Sequence, residues 1–370
     1  MIRVEEFLQM SDWEDFLEFV RETYRPDHPL CSREFFEWQV KLKENDAKAT
    51  VICAWDNDRL VGIMGYVPLA AHWGTPGQEV QSAWFTHWMV RKDAPRGVGV
   101  LLIKKAQEMF PLVLTLNASE QGLPLLMSLG WSCVHHIPRY LCVLDKDQSI
   151  PMLPPKALEG ELEKFIFKPK DFPSAVTRDL ISKQENYNPR WELYPQLNFS
   201  VIRSLDYLTH RYTEHPFFKY RIILAGKQHR PAVCVYRIEQ AFGSFEALVG
   251  RIVDFFYPAD EEGHRDGISL LQQVLFQLKN TGCAYADFIC SNKTFGQTWR
   301  ELGAEEEPFD RLILPMRLSP IQQIKKEQSF SFLVGEHCAP ILENLYISKS
   351  DVDGDNPASL NPTTASISRC

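Results

Sequence analysis

The chain repeats its own punctuation. Glu34, Gly99, Asn117 and Gly130 are followed, at offsets of 172, 168, 175 and 173 residues, by Asp206, Gly267, Asn292 and Gly303. Four landmarks in one order at a near-constant offset indicate an internal duplication, and a duplicated chain has to fold as two units built on one plan. Between the landmarks the same pattern is read twice. In the first half "DWEDFLEFVRETY", opened by a Ser11/Glu14 capping box, and "SREFFEWQV" read as helices. "TVICAW", "LVGIMGYVPL" and "SAWFTHWMV" read as strands. A glycine loop leads into a helix with Leu102, Ala106 and Met109 at i, i+4 and i+7; "PLVLTLNAS" is a strand and "LPLLMSLGW" a short helix closing on Gly130. In the second half "RSLDYLTHRY", "YRIIL", "AVCVYRI", "FEALVGRIVDFFY", "ISLLQQVLFQLKN", "AYADFICSN" and "FGQTWRELG" return in the same order.

This order predicts an α/β fold of two domains, 1–145 and 161–320. A proline-bearing linker, 146–160, joins them, and a polar C-terminal extension, 321–370, is expected to be partly mobile. With 370 residues the chain exceeds what one core usually organises. The net charge of −8 argues against a nucleic-acid binder, which carries a basic balance or stripe. Nine scattered cysteines include no C-x-x-C and no His/Cys pair at metal-ligand spacing, so no metal is expected and a reducing compartment is. "DVDGDN" at Asp351 displaces the glycine of a calcium loop and has Pro362 in the twelfth place, so it reads as an ordinary loop. The opening "MIRVEEFLQMSDWEDF" lacks a basic-then-apolar signal, and no stretch reaches the ~18 apolar residues of a membrane span. The expected location is cytoplasmic.

The stretch "HWMVRKDAPRGVGVLLIKKAQEMF" sets Arg91, Lys92, Arg96, Lys104 and Lys105 against only Asp93 and Glu108. A strand, a glycine loop and a helix N-terminus together make an anion site, because first-turn amides point outward and the helix dipole adds positive charge. Gly97 and Gly99 permit close backbone approach, and Arg91, Lys92 and Arg96 add charge-assisted contacts suited to a pyrophosphate.

The order helix, helix, strands, strand–R-x-x-G–helix, strand ending in Asn, short helix ending in "LGW" resembles the GNAT superfamily of acyl-CoA N-acyltransferases. Its signature loop is Gln/Arg-x-x-Gly-x-Gly/Ala. Arg96-Gly97-Val98-Gly99-Val100-Leu101 matches its first two fixed positions and places Leu101 at the third; shifted by two residues, Gly97 and Gly99 match both glycines and Ala94 takes the Gln/Arg place. "VLTLNAS…LLMSLGW" resembles the later family block. Taken twice, the resemblance covers 1–145 and about 161–317. It implies two tandem domains, each a twisted mixed sheet flanked by helices, in the manner of amino-sugar N-acetyltransferases. It also implies acetyl-CoA as co-substrate on the first unit, with pyrophosphate on amides of Val98, Gly99 and Val100, pantetheine along Met89 and Val90, and Asn117 on its amide. The second loop, His264 to Ser269, keeps one glycine and is flanked by Asp260, Glu261, Glu262 and Asp266, which repel phosphate.

Acyl transfer to an amine requires a base for the amine proton and a donor for the thioester oxygen. The resemblance puts His87 on the strand beside the thioester, and an imidazole suits the task. Met89 or Val90 supplies the backbone donor. His28 falls in the acceptor-binding loop, and His135 and His136 are further candidates for touching substrate. Where the family often carries a tyrosine acid, four residues before the "LGW" glycine, stands Leu126, leaving Tyr24 and Tyr140 as substitutes if the fold brings them near. The expected acceptor is a small amine, by analogy a nucleotide-linked amino sugar for surface polysaccharide met by "ENYNPRWELYPQLNFSVIRS". The alternatives are a tandem aminoacyl or acyl transferase building peptidoglycan bridges, and a non-catalytic acyl-CoA or nucleotide-sugar binding module with a regulatory role.

Overall fold

The computed structural model describes residues 1–40, 46–74, 78–154, 159–171, 176–180, 187–241, 247–308, 310–315, 328–335, 340, 342–351, 355–357 and 360. Strands β1 (Ile2–Glu5) and β2 (Leu8–Gln9) lead into helices α1 (Trp13–Thr23) and α2 (Arg33–Gln39). Helix α1 buries Phe16, Leu17, Phe19 and Val20, but the capping box does not form: Ser11 Oγ donates to Asp12 Oδ1, and Asp12 is the N-cap. Strand β3 (Lys48–Ala49) pairs with β2, and β4 (Val51–Asp56), β5 (Arg59–Trp73) and β6 (Glu79–Val90) are antiparallel neighbours. Helix α3 (Val98–Met109) then crosses back, so that β7 (Leu112–Leu116) runs parallel to β6. Helix α4 (Gly122–Ser128), β8 (Ser132–Val134), β9 (Arg139–Val143) and α5 (Lys146–Ser149) follow.

The second half has the same order of parts. Strands β10 (Thr177–Asp179) and β11 (Phe199–Val201) and helix α6 (Leu205–Leu208) precede the antiparallel β12 (Arg221–Ala225), β13 (Ala232–Gln240) and β14 (Leu248–Phe256). Helix α7 (Glu261–Asn280) carries the chain back to β15 (Cys283–Ile289), parallel to β14. Helix α8 (Lys293–Glu301), β16 (Glu305–Glu306) and β17 (Phe330–Val334) follow, and a 3-10 turn, Leu342–Asn344, comes after them.

The larger sheets run β1-β4-β5-β6-β7-β17-β8, with β11 added on β5, and β10-β12-β13-β14-β15-β9-β16. Sheet membership therefore cuts across the boundaries expected from sequence. Strand β9, inside 1–145, pairs with β15 in the second sheet; β17, inside 321–370, lies between β7 and β8 in the first. Apolar burial holds β17: Phe330 and Phe332 stack on each other and meet Trp84 and Trp73 at ring distances of 5.6 and 5.8 Å. Charge holds β9, because Arg139 donates to Asp287 and, through one nitrogen, to both oxygens of Glu307.

The segment expected to be a linker is packed, with Ser149 and Met152 fully buried and Ser149 Oγ donating to the Ala284 carbonyl. Described residues of the expected mobile extension are also core. Asp351 and Asp355 are 0% exposed, the first paired with Arg203 and the second with Arg237 and Lys349. Buried carboxylates persist because buried guanidinium groups face them. Although burial opposes it, the charges of Arg237 and Lys349 hold Asp355 well below the usual carboxylate range. Residues 361–370 lie outside the described residues.

Phe330→Ala removes a fully buried ring from the exchanged strand, and the expected outcome is a loss of about 3–5 kcal/mol in urea unfolding.

Candidate active site

The register of β5 against β6 slips by one residue at a defined place. Gly65 faces Thr86 and Ile63 faces Met89, so His87 and Trp88 together oppose Met64. This is a β-bulge, which re-aims side chains and ends regular pairing. His87 carries it with φ of +50°, a costly value for a residue other than glycine. The neighbouring side chains consequently leave on opposite faces. The His87 ring lies over Gly65, beside the α1–α2 loop, whereas Trp88 lies against Gly99 of α3 and Gly122 of α4. The last β6–β7 pair is Phe85 with Thr115, so the bulge and everything after it have no β7 partner.

On the α3–α4 face, Gly97 caps α3 with φ of +93°, and open space surrounds the position a Cβ would take. The amides of Gly99 and Val100 belong to the first helical turn and have no preceding turn to donate to. Val98 is buried against Gly62, where a Cβ would come within 2.9 Å of its Cγ1. Lys92 and Arg96 are exposed beside this helix end. Arg91 is not available to it: its Nε donates to the Leu60 carbonyl at 2.8 Å and its head pairs with Glu22 on α1. Asn117 is likewise engaged. Its Oδ1 accepts the Ser329 amide and its Nδ2 donates to Gln328, which docks the chain entering β17. Trp88 occupies the space between the two helices, at 3.2 Å from a Cβ on Gly99 and 2.9 Å from one on Gly122.

On the opposite face the structure brings together three residues distant in sequence. The His28 ring is 5.7 Å from that of His87, edge to face, and 4.5 Å from that of Tyr24. His28 caps the turn Pro29–Cys31, its Nδ1 accepting the Leu30 amide at 3.3 Å. Burial, and then the nearby charge of Arg25, lower its pKa to about 4; burial, and then His28, lower that of His87 to about 3. Both rings are therefore neutral at pH 7. His87 Nε2 is covered and has no hydrogen-bond partner among the described residues. Leu126 is core, packed with the α3 side, whereas Tyr24 reaches solvent beside His28.

His135 and His136 are elsewhere, on the connection from β8 in the first sheet to β9 in the second. His136 Nε2 is 3.5 Å from Glu306 on the wall of a groove of about 870 Å³, which Tyr257, His264, Lys293 and Arg300 also line. Tyr140 faces the same groove, remote from His87 in the sheet order. The N-terminus of α7 beside it is capped by an acidic side chain, Asp260 Oδ1 accepting the Gly263 amide at 2.7 Å. Asp260 and Glu262 are in turn paired with Arg230. Sequence reading missed the bulge and the indole at Trp88, for which the only signal was an aromatic next to a histidine just before the glycine loop.

No family model matches the sequence, and no curated protein matches it. In three dimensions the chain is similar to a probable N-acyltransferase of Enterococcus faecalis V583, at 11% identity over 89% of this chain and 72% of that one, with a TM-score of 0.52. It is similar to Saccharomyces cerevisiae N-myristoyltransferase with bound myristoyl-CoA and inhibitors, at 12% identity, 90% and 81% coverage and a TM-score of 0.52. It is also similar to a GCN5-related N-acetyltransferase from Anabaena variabilis ATCC 29413, at 11% identity, 90% and 72% coverage and a TM-score of 0.52. At these identities the likeness is one of fold: the chain has the mixed α/β fold of the N-acyltransferases, as its order of elements implied.

The buried histidines make stability fall in acid. Unfolded imidazoles take a proton near pH 6.5, and the folded rings of His28 and His87 do so only near 4 and 3. Between those values the unfolded state binds more protons, so stability is lost as pH falls from 6.5 and levels off below the folded values. From pH 6.5 to 5 the pair is expected to cost about 3 kcal/mol in urea unfolding, and the His28→Gln/His87→Gln double variant to show a correspondingly shallower fall.

Proposed function

We propose that the protein is an acyl-CoA-dependent N-acyltransferase whose reacting centre is the β6 bulge. The observation that carries this reading is the division of the bulge between two faces. One face presents the unpaired end of β6 and the open first turn of α3, with Arg96 and Lys92 beside it; the other presents His87, His28 and Tyr24. Acyl-CoA enters from the first, with its pyrophosphate on the amides of Gly99 and Val100, and Trp88 moves aside to admit the pantetheine arm. The amine arrives from the second.

The amine nitrogen attacks the thioester carbonyl carbon, and His87 accepts the amine proton. A backbone N–H of Met89 or Val90 donates to the oxygen as it gains charge. Collapse breaks the C–S bond and releases the thiol, whose proton comes from the His87 side. An imidazolium in this buried position is costly, so it passes that one proton on promptly to the departing sulfur. The alternation of parts and the shared strand order of the two sheets support descent of both halves from one unit. Nothing at His28 and His87 selects a nucleotide, and in the stretch expected to meet one Tyr194, Gln196 and Asn198 are buried; the acceptor class best supported is a small amine.

A second placement of the cofactor rests on the groove beside α8, whose 870 Å³ falls within the range of ligand sites. Calorimetric titration with acetyl-CoA decides between them. Arg96→Glu is expected to weaken binding at least tenfold and Lys293→Glu to leave it unchanged; the reverse pattern moves the cofactor to the second sheet, and absence of binding removes the enzyme reading. His87→Gln is expected to lower kcat by about 10²-fold with acetyl-CoA affinity retained.

A further inference from the structure

Six of the seven buried arginines among the described residues sit against carboxylates. The seventh is Arg211, 5% exposed, with no carboxylate in ion-pair reach among the described residues. Its Nε donates to the Ser350 carbonyl at 2.8 Å, and its guanidinium lies over the Trp38 ring at 5.1 Å. Among the described residues both terminal nitrogens are buried without a hydrogen-bond partner, and so is the hydroxyl of Tyr207, 7% exposed. Arg211 and Tyr207 line one small cavity of about 30 Å³, with Trp38, Gln39, Val67 and Leu69. A buried guanidinium without a counter-charge costs several kcal/mol, so the arrangement is a site prepared for an anion. Arg211 is carried by Thr209–Thr213, a π-helical turn, an irregularity that concentrates at functional sites.

The cavity is on the acceptor face of the bulge. After Val61, β5 alternates regularly, and Gly65, Val67 and Leu69 share the side on which the His87 ring lies. At the rise of a strand, Val67 is about 7 Å and Leu69 about 13 Å from Gly65. We propose that Arg211 and Tyr207 bind the carboxylate of the acceptor, so that the substrate is an amine that also bears a carboxylate some five or more bonds away. The fork of two N–H groups matches a carboxylate's two oxygens, the tyrosine hydroxyl adds a third donor, and the room suits a group of roughly two or three heavy atoms. This substrate class rests on the acyltransferase reading, but the anion site does not.

The test is calorimetric titration of the full chain with sodium acetate at pH 7, with sodium chloride as the comparison. Acetate is expected to bind more tightly than chloride, with affinity falling at least tenfold in Arg211→Gln and several-fold in Tyr207→Phe. The second variant keeps the buried ring and carries the test if the first does not fold. No acetate binding, chloride binding as tight as acetate, or unchanged affinity in the variants overturns the site. In thiol-release assays with acetyl-CoA, 6-aminohexanoate is expected to exceed hexylamine at least tenfold in kcat/KM, and Arg211→Gln to abolish the difference. Acetate binding without thiol release from any amine removes the acyltransferase reading and leaves the anion site. Thiol release without acetate binding, or with equal use of both amines, removes this proposal and leaves the enzyme.

Discussion

The structure depends on an exchange. Each large sheet has a gap beside its parallel strand, β7 in one and β15 in the other, and each gap is filled by a strand from the other half of the chain. The two fillings use different physics. Strand β17 brings phenylalanines to an aromatic core, whereas β9 brings a guanidinium to buried carboxylates. From Arg139 the charges continue without a break through Asp287, Arg251, Glu239 and Arg237 to Asp355 and Lys349. Cations and anions alternate along that path, which is how so many charges persist away from water. Burial and the charge of Arg251 lower Lys349 to a pKa of about 8, so it is the least firmly charged member.

The bulge does for the candidate site what the exchange does for the fold. One extra residue in β6 separates two neighbouring side chains onto opposite faces of the sheet. It also frees the end of the strand that a parallel partner would otherwise cover. Glycines at 62, 65, 99 and 122 are the complement of this arrangement, each leaving room for a side chain placed by the bulge or by α3. A chemistry that joins two substrates is served by such a geometry, because each can approach the same backbone from its own side.

Much of the fold was legible because its signals are local. Helical spacing at Leu102, Ala106 and Met109, strand patterning, and glycines at the ends of short helices fix elements within a few residues. The duplication was legible because its landmarks recur at a constant interval. The strand exchange was not, since β9 and β17 read as ordinary strands and nothing nearby in sequence says which sheet they join. At the site, His28 and His87 were separately visible as histidines, but their contact is made by tertiary folding. Arg91 and Asn117 matched the expected pattern by position and were taken by other partners, Glu22 and the chain before β17. Arg211 carried no signal at all, because an arginine stands out only when every comparable one is seen to be paired.

The exchange also orders events in time. The place between β7 and β8 stays open until β17 exists, about 200 residues further along the chain. At the usual pace of protein synthesis that interval is roughly 10–40 s. Throughout it the nascent first half presents the unpaired edge of β7 and an aromatic core without its lid. Such an edge is a template for pairing with other chains. The first half is therefore made early and finished last, and the cell that makes this protein has to guard an incomplete sheet while the rest of the chain is synthesised.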